Sequence, residues 1–141
     1  MVLAVLIGIL SLDQLTKFII SKSFKVGESF TVIERIFSLT LVHNRGAAFG
    51  IFRNQIYFFI LTSLVAIVLI YAGIKRNKQN KSYTFALSLI LAGALGNLID
   101  RVFFGYVIDF LDFRIWPVFN LADSAITIGA ILLGWQVLKG K

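Results

Sequence analysis

Four long apolar runs decide what this chain can fold into. A helix needs about 20 predominantly apolar residues to cross the hydrocarbon core of a bilayer. Residues 2–20, 55–74, 83–104 and 117–138 each meet that length. Backbone polar groups at that depth find no water, so such runs must close their hydrogen bonds internally, as helices. Composition points the same way. Of the 141 residues, 58% are hydrophobic and mean hydropathy is +0.87, against roughly 45–50% apolar residues in soluble domains. No sequence repeat relates the two halves. The expectation is an all-α polytopic membrane protein, one membrane-embedded domain over 1–141, with both termini on the same side.

The first run begins Met1-Val2-Leu3-Ala4-Val5-Leu6 and resembles the apolar core of a signal peptide. It lacks a basic start and a small-residue cleavage site, and its pattern continues to Ile20. It is read as a retained first span.

The connections differ in kind. Lys75-Arg76-Asn77-Lys78-Gln79-Asn80-Lys81 is short and basic and suits the cytoplasmic side. With Lys139 and Lys141 it gives six basic residues. The opposite side carries Lys22, Lys25, Arg35, Arg45, Arg53, Arg101 and Arg114, so only charge density favours this orientation. The first connection is longer. Phe37-Ser38-Leu39-Thr40-Leu41-Val42 mixes alternation with β-branched residues and predicts a strand. Phe30 and Val32-Ile33 offer it a partner, giving a small extracytoplasmic β-sheet element at about 24–52 on the membrane surface. The third connection, 105–116, reads as a short aromatic loop.

Charge and composition exclude several functions. The net charge of +7 comes from 14 basic and 7 acidic residues. In so apolar a chain it marks loops near anionic lipid headgroups, not nucleic-acid binding. No cysteine is present, and His43 is the single histidine. No disulfide, thiol nucleophile, metal site or other cofactor is expected.

The ionisable residues inside the apolar runs carry the chemistry, because a charge at membrane depth costs at least ~2.5–3.5 kcal/mol on insertion scales. Asp13 and Lys17 are four apart, so they share a helix face and read as a structural ion pair near the interface. Asn44-Arg45-Gly46-Ala47-Ala48-Phe49-Gly50 offers small residues that let a bound chain approach, or else a surface turn. Arg45 suits a lipid phosphate. Gly93 and Gly96 suit tight helix contact. Asn97 and Asp100 share a face beside Arg101, so Asp100 reads as an ionised strut held by that guanidinium.

Asp109 has apolar neighbours, Ile108 and Phe110, and no countercharge beside it, whereas Asp112 has Arg114 close by. Asp123 lies one turn from Asn120 in Phe119-Asn120-Leu121-Ala122-Asp123-Ser124, in a run whose first helical turn Pro117 suits. A short loop lets Asp109 and Asp123 meet. Two adjacent carboxylates share a proton, one acid and one base, and so can activate water without a metal. The residues alone leave a hydrolase, a small proton-coupled transporter and a polar clamp between helices equally open.

Taken together the motifs resemble bacterial lipoprotein signal peptidase, signal peptidase II. The matching segments are Asp13-Gln14-Leu15-Thr16-Lys17, Asn44-Arg45-Gly46-Ala47-Ala48-Phe49, Gly93 to Arg101, Val107-Ile108-Asp109-Phe110 and Phe119-Asn120-Leu121-Ala122-Asp123-Ser124. The resemblance implies an intramembrane aspartic endopeptidase of the bacterial cytoplasmic (inner) membrane, with its site near the extracytoplasmic face. Its substrates would be diacylglyceryl-modified prolipoproteins, cut before the lipidated cysteine, and globomycin would inhibit it. Asp109 and Asp123 would be the catalytic pair. Asn44, Arg45, Gly46, Asn97, Arg101 and Asn120 would bind substrate or support the pair, and Asp13, Lys17 and Asp100 would be structural. A monomer among membrane lipids is expected. The loop between the two aspartates is short for the family.

Overall fold

The computed structural model describes residues 1–46 and 55–139. Among the described residues, four helices are long and apolar enough to cross a membrane: α1 (Val2–Ser23), α2 (Ile56–Arg76), α3 (Lys81–Phe104) and α4 (Leu121–Lys139). The helices turn apolar side chains outward. Leu3, Ile7, Phe18, Val68, Leu69 and Ile131 are all more than half exposed. That is the pattern for a bundle whose solvent is lipid.

α3 is the central helix and packs against α1, α2 and α4. Its approach to α4 is close because small residues face each other, the usual device where no hydrophobic effect drives helices together. A Cβ added at Gly93 would collide with the Ala122 carbonyl oxygen, and one at Gly129 would lie 2.7 Å from the Ala86 carbonyl oxygen. An apolar cluster of Ile74, Leu87 and Leu91 closes the opposite end of the bundle.

The sheet sits at one end. β1 (Ser29–Ile33), β2 (Phe37–Asn44) and β3 (Val107–Asp112) form an antiparallel sheet in the order β1-β2-β3. The partner expected for the 37–42 strand is therefore present as β1. The third strand was not expected, since 105–116 read as a loop. Gly105 ends α3 in the left-handed region, at φ 76°, and its N–H closes on the Arg101 carbonyl. This αL stop redirects the chain into β3. Ile20, Leu41, Ile108 and Phe110 then pack the sheet onto the end of α1.

Other expectations change. Pro117 is not in the first turn of the fourth helix, which starts at Leu121. Asn120 caps it instead: its Oδ1 accepts the Asp123 N–H at 2.9 Å, and Asp123 Oδ2 accepts the Asn120 N–H at 3.3 Å. This is the reciprocal geometry of a capping box. The Asp13–Lys17 pair is almost fully buried within the protein, at 0% and 1% exposure. Residues Ala47 to Gly50, Arg53, Lys141 and the far end of the 24–52 element lie outside the described residues.

Candidate active site

A buried ion cluster supports the site from behind. Lys17 Nζ lies 2.8 Å from Asp13 Oδ2 and 2.8 Å from Asp100 Oδ2. The countercharge of Asp100 is therefore Lys17, not the adjacent Arg101, because the helix turns those two side chains apart. Each carboxylate also grips backbone. Asp13 Oδ1 accepts the Ala122 N–H at 2.9 Å, and Asp100 Oδ2 accepts the Ile108 N–H at 3.1 Å. The first bond satisfies a donor that the start of α4 would otherwise leave open. Gln14 Nε2 reaches Asp13 and Asp100, each at 3.1 Å. Gln14 stood in the Asp13 motif without being singled out. Its long-range partners have no local sequence signal.

Two amides connect this cluster to the candidate pair. Asn97 Oδ1 accepts from Lys17 Nζ at 3.2 Å, and Asn97 Nδ2 donates to Asp123 Oδ1 at 2.7 Å. Asn120 Nδ2 donates to Asp109 Oδ1 at 2.8 Å and to Asn97 Oδ1 at 3.0 Å, while its Oδ1 caps Asp123. Asn120, fully buried, thus holds β3 and α4 together, through the Asp109 carboxylate on one side and the Asp123 backbone N–H on the other. Asn44 completes the set, donating from Nδ2 to Asp109 Oδ2 at 3.0 Å and accepting the Gly46 N–H at 2.9 Å.

Asp109 and Asp123 open on one cleft of about 250 Å³, lined also by Asn44, Gly46, Asn97 and Arg101. Its apolar wall comes from Pro117, Phe119 and Ile126, of which the sequence left Ile126 unmarked and gave the other two no role in a cleft wall. Arg101 stacks over the Phe59 ring at 5.1 Å, which holds the guanidinium at the cleft edge. Arg45 is exposed and does not line the cleft.

Asp109 is 2% exposed. Burial raises its carboxyl from 3.8 to about 7, and the negative charge of Asp123 pushes the same way. The Asn44 hydrogen bond, the charge of Lys17 and the Asn120 hydrogen bond oppose the rise. Near neutral pH this carboxyl therefore holds its proton for a large part of the time. A proton held beside a second carboxylate provides a donor and an acceptor within one cleft. No group of His, Cys, Asp and Glu suited to a metal ion occurs among the described residues.

Fold and cleft define the class first: a multi-pass membrane protein with paired carboxylates at one end of its bundle. Residues 5–139 match the family described as signal peptidase (SPase) II. The lipoprotein signal peptidase of Halothermothrix orenii is 49% identical over 133 residues, which is 94% of this chain and 92% of that one. That of Moorella thermoacetica is 52% identical over 92% of this chain and 87% of its own length. That of Staphylococcus aureus is 46% identical over 90% and 81%. Two solved bacterial membrane enzyme structures superpose with TM-scores of 0.93 and 0.91, at 38% and 37% identity, over 98% and 99% of this chain and 87% and 94% of theirs. The chain belongs to the signal peptidase II family and is an aspartic-type membrane peptidase. Family membership does not favour the transporter alternative.

Proposed function

We propose that this peptidase removes signal peptides from diacylglyceryl-modified prolipoproteins, with Asp109 and Asp123 as its catalytic pair. The observation that carries the assignment is Asn120, whose buried side chain donates to the Asp109 carboxylate while its backbone N–H donates to that of Asp123, where the two carboxylates open on the same cleft. Its relatives are lipoprotein signal peptidases, which supports lipoprotein precursors as the substrate class.

The reaction needs one proton on the pair. The ionised carboxylate takes a proton from water as the water oxygen adds to the scissile carbonyl carbon. The protonated carboxyl gives its proton to the carbonyl oxygen. The tetrahedral adduct then collapses: the carboxyl that took the water proton gives it to the nitrogen, the other carboxylate takes a hydroxyl proton back, and the C–N bond breaks. Asn44, Asn97 and Asn120 hold the carboxylates in place throughout. Arg101 at the cleft edge positions substrate, with Gly46 leaving room for its backbone.

The cleft lies at the sheet end of the bundle, away from the basic 75–81 turn. The density of basic residues in that turn favours the cytoplasm for it, which puts the site on the extracytoplasmic side of the cytoplasmic (inner) membrane. There lipid-modified substrate can slide in laterally while water reaches the pair. The enzyme works as a monomer among lipids, and globomycin blocks the cleft.

The test is cleavage of a diacylglyceryl-modified prolipoprotein, with and without globomycin, against the unmodified precursor. The reading fails if the unmodified precursor is cut equally well or if the modified one is not cut.

A further inference from the structure

A second cavity, of about 790 Å³, lies on the other side of the sheet. Strand alternation separates the two sites, since successive side chains point to opposite faces. Asp109 and Asn44 face the catalytic cleft, whereas their neighbours Ile108 and His43 line the second cavity. Its other wall is the last three turns of α1.

This cavity is graded along the membrane normal. Lys22 and Lys25 stand at its mouth, and Gln14 marks its inner end. With 1.5 Å rise per residue, the mouth and inner end are roughly 12 Å apart along α1. Between them the walls are mostly aromatic and aliphatic, including Phe18, Phe104 and Tyr106, with Lys17 at the inner end held by its ion pairs to Asp13 and Asp100. The His43 ring stacks on Tyr106 at 3.8 Å. No carboxylate lines the cavity among the described residues, and neither mouth lysine is within ion-pair distance of one. Glu28, just beyond, turns its carboxylate to the backbone N–H of Lys25 at 2.7 Å. Ser21 Oγ is buried in the same wall without a hydrogen-bond partner. Buried hydroxyls are rarely left so, which points to an acceptor or donor brought by a ligand. The C-terminal end of α1 opposes an anion with about half a charge. Two full lysine charges outweigh it.

We propose that this cavity binds one anionic phospholipid of the surrounding leaflet, its phosphate between Lys22 and Lys25 and an acyl chain against Phe18 and Phe104. A lipid there braces Leu41 and Ile108, and so the reverse face of the strands that carry Asn44 and Asp109. The site is separate from the substrate cleft, and its test does not depend on the assignment of the catalytic pair.

Native mass spectrometry of the full-length protein in neutral detergent reads the outcome, with phosphatidylglycerol, phosphatidylcholine and inorganic phosphate as separate titrants. One phosphatidylglycerol should bind more tightly than phosphatidylcholine, and inorganic phosphate should not displace it. Lys22→Gln with Lys25→Gln should weaken phosphatidylglycerol on the order of thirtyfold, about fivefold for each lysine. Ser21→Leu, which fills the cavity from α1, should weaken both lipids. Lys75→Gln with Lys78→Gln, at the opposite end, should change neither. Equal binding of the two lipids overturns the proposal, as does unchanged phosphatidylglycerol affinity in the Lys22/Lys25 and Ser21 variants. Displacement by inorganic phosphate at matched concentration also overturns it, because the site would then recognise a free anion.

Discussion

Replacing Asn44 with alanine should move the alkaline limb of the activity profile upward. Asn44 Nδ2 donates to Asp109 Oδ2 at 3.0 Å. That bond favours the ionised carboxylate and works against the rise that burial and Asp123 impose. A hydrogen bond to a charged group is worth ~1.5–3 kcal/mol. One pH unit corresponds to about 1.36 kcal/mol. Asn44 is only half-buried and lines the cleft, so water takes part of its place and the low end applies. The expected displacement is therefore roughly one pH unit. The sign follows from which form loses a partner. Alanine removes a donor to the anion, so the proton is retained to higher pH. On the proposed mechanism activity needs one proton on the pair, and the alkaline limb marks the loss of that proton.

The assay is kcat/KM for a diacylglyceryl-modified prolipoprotein between pH 5 and 10, wild type against Asn44→Ala. Asn44 also accepts the Gly46 N–H, so the variant loses a turn contact and some rate at every pH. That loss lowers the whole curve without displacing it, and the limb alone reports the electrostatic effect. A limb that stays in place, or moves to lower pH, refutes the role assigned to Asn44 and the premise that one proton resides on the pair.

The remaining predictions separate chemistry from architecture. Asp109→Asn and Asp123→Asn should each reduce cleavage by about a thousandfold or more while the protein still inserts and folds. Retained cleavage in either, at normal expression, would remove that residue from the pair. Lys17→Met should destabilise by about 3–5 kcal/mol, because it leaves the buried Asp13 and Asp100 without their shared cation. An unchanged melting temperature in detergent would contradict that. Gly96→Ala should cost about 1–3 kcal/mol by overpacking, since its Cβ would lie 2.6 Å from Asp13 Oδ2. A melting curve matching wild type would show that the ion cluster can shift to make room.

The features legible in the sequence were those with a local signal. Run length gave the four helices, and alternation with β-branched residues gave β2 and its partner. Asp109 and Asp123 stood out because each is an acid set among apolar neighbours. β3 was missed for a physical reason. Val107, Ile108, Asp109 and Phe110 are all buried, because one face packs toward α1 and the other toward the carboxylate pair. A strand covered on both faces shows no period of two. The start of α4 was misread because Pro117 and Asn120 both signal a helix start, and only the reciprocal bonds of Asn120 and Asp123 decide between them. The partner of Asp100 was misread because sequence adjacency favoured Arg101, while Lys17 reaches it only through the packing of α1 on α3.

The placement of amides between the two sets of charges explains how one bundle end holds both. Lys17 is shared by Asp13 and Asp100, which bond to backbone and stay fixed. Were Lys17 in direct contact with Asp109 or Asp123 as well, an ion pair would hold that carboxylate ionised and remove the proton the pair needs. Asn97 prevents this while keeping the geometry, accepting from Lys17 on one side and donating to Asp123 on the other. Asn120 does the same between Asp109 and the start of α4. An amide carries orientation without net charge. The buried cation therefore fixes where the pair sits and acts on it only at a distance, and burial remains free to raise Asp109 into the range where a proton can be both held and given up.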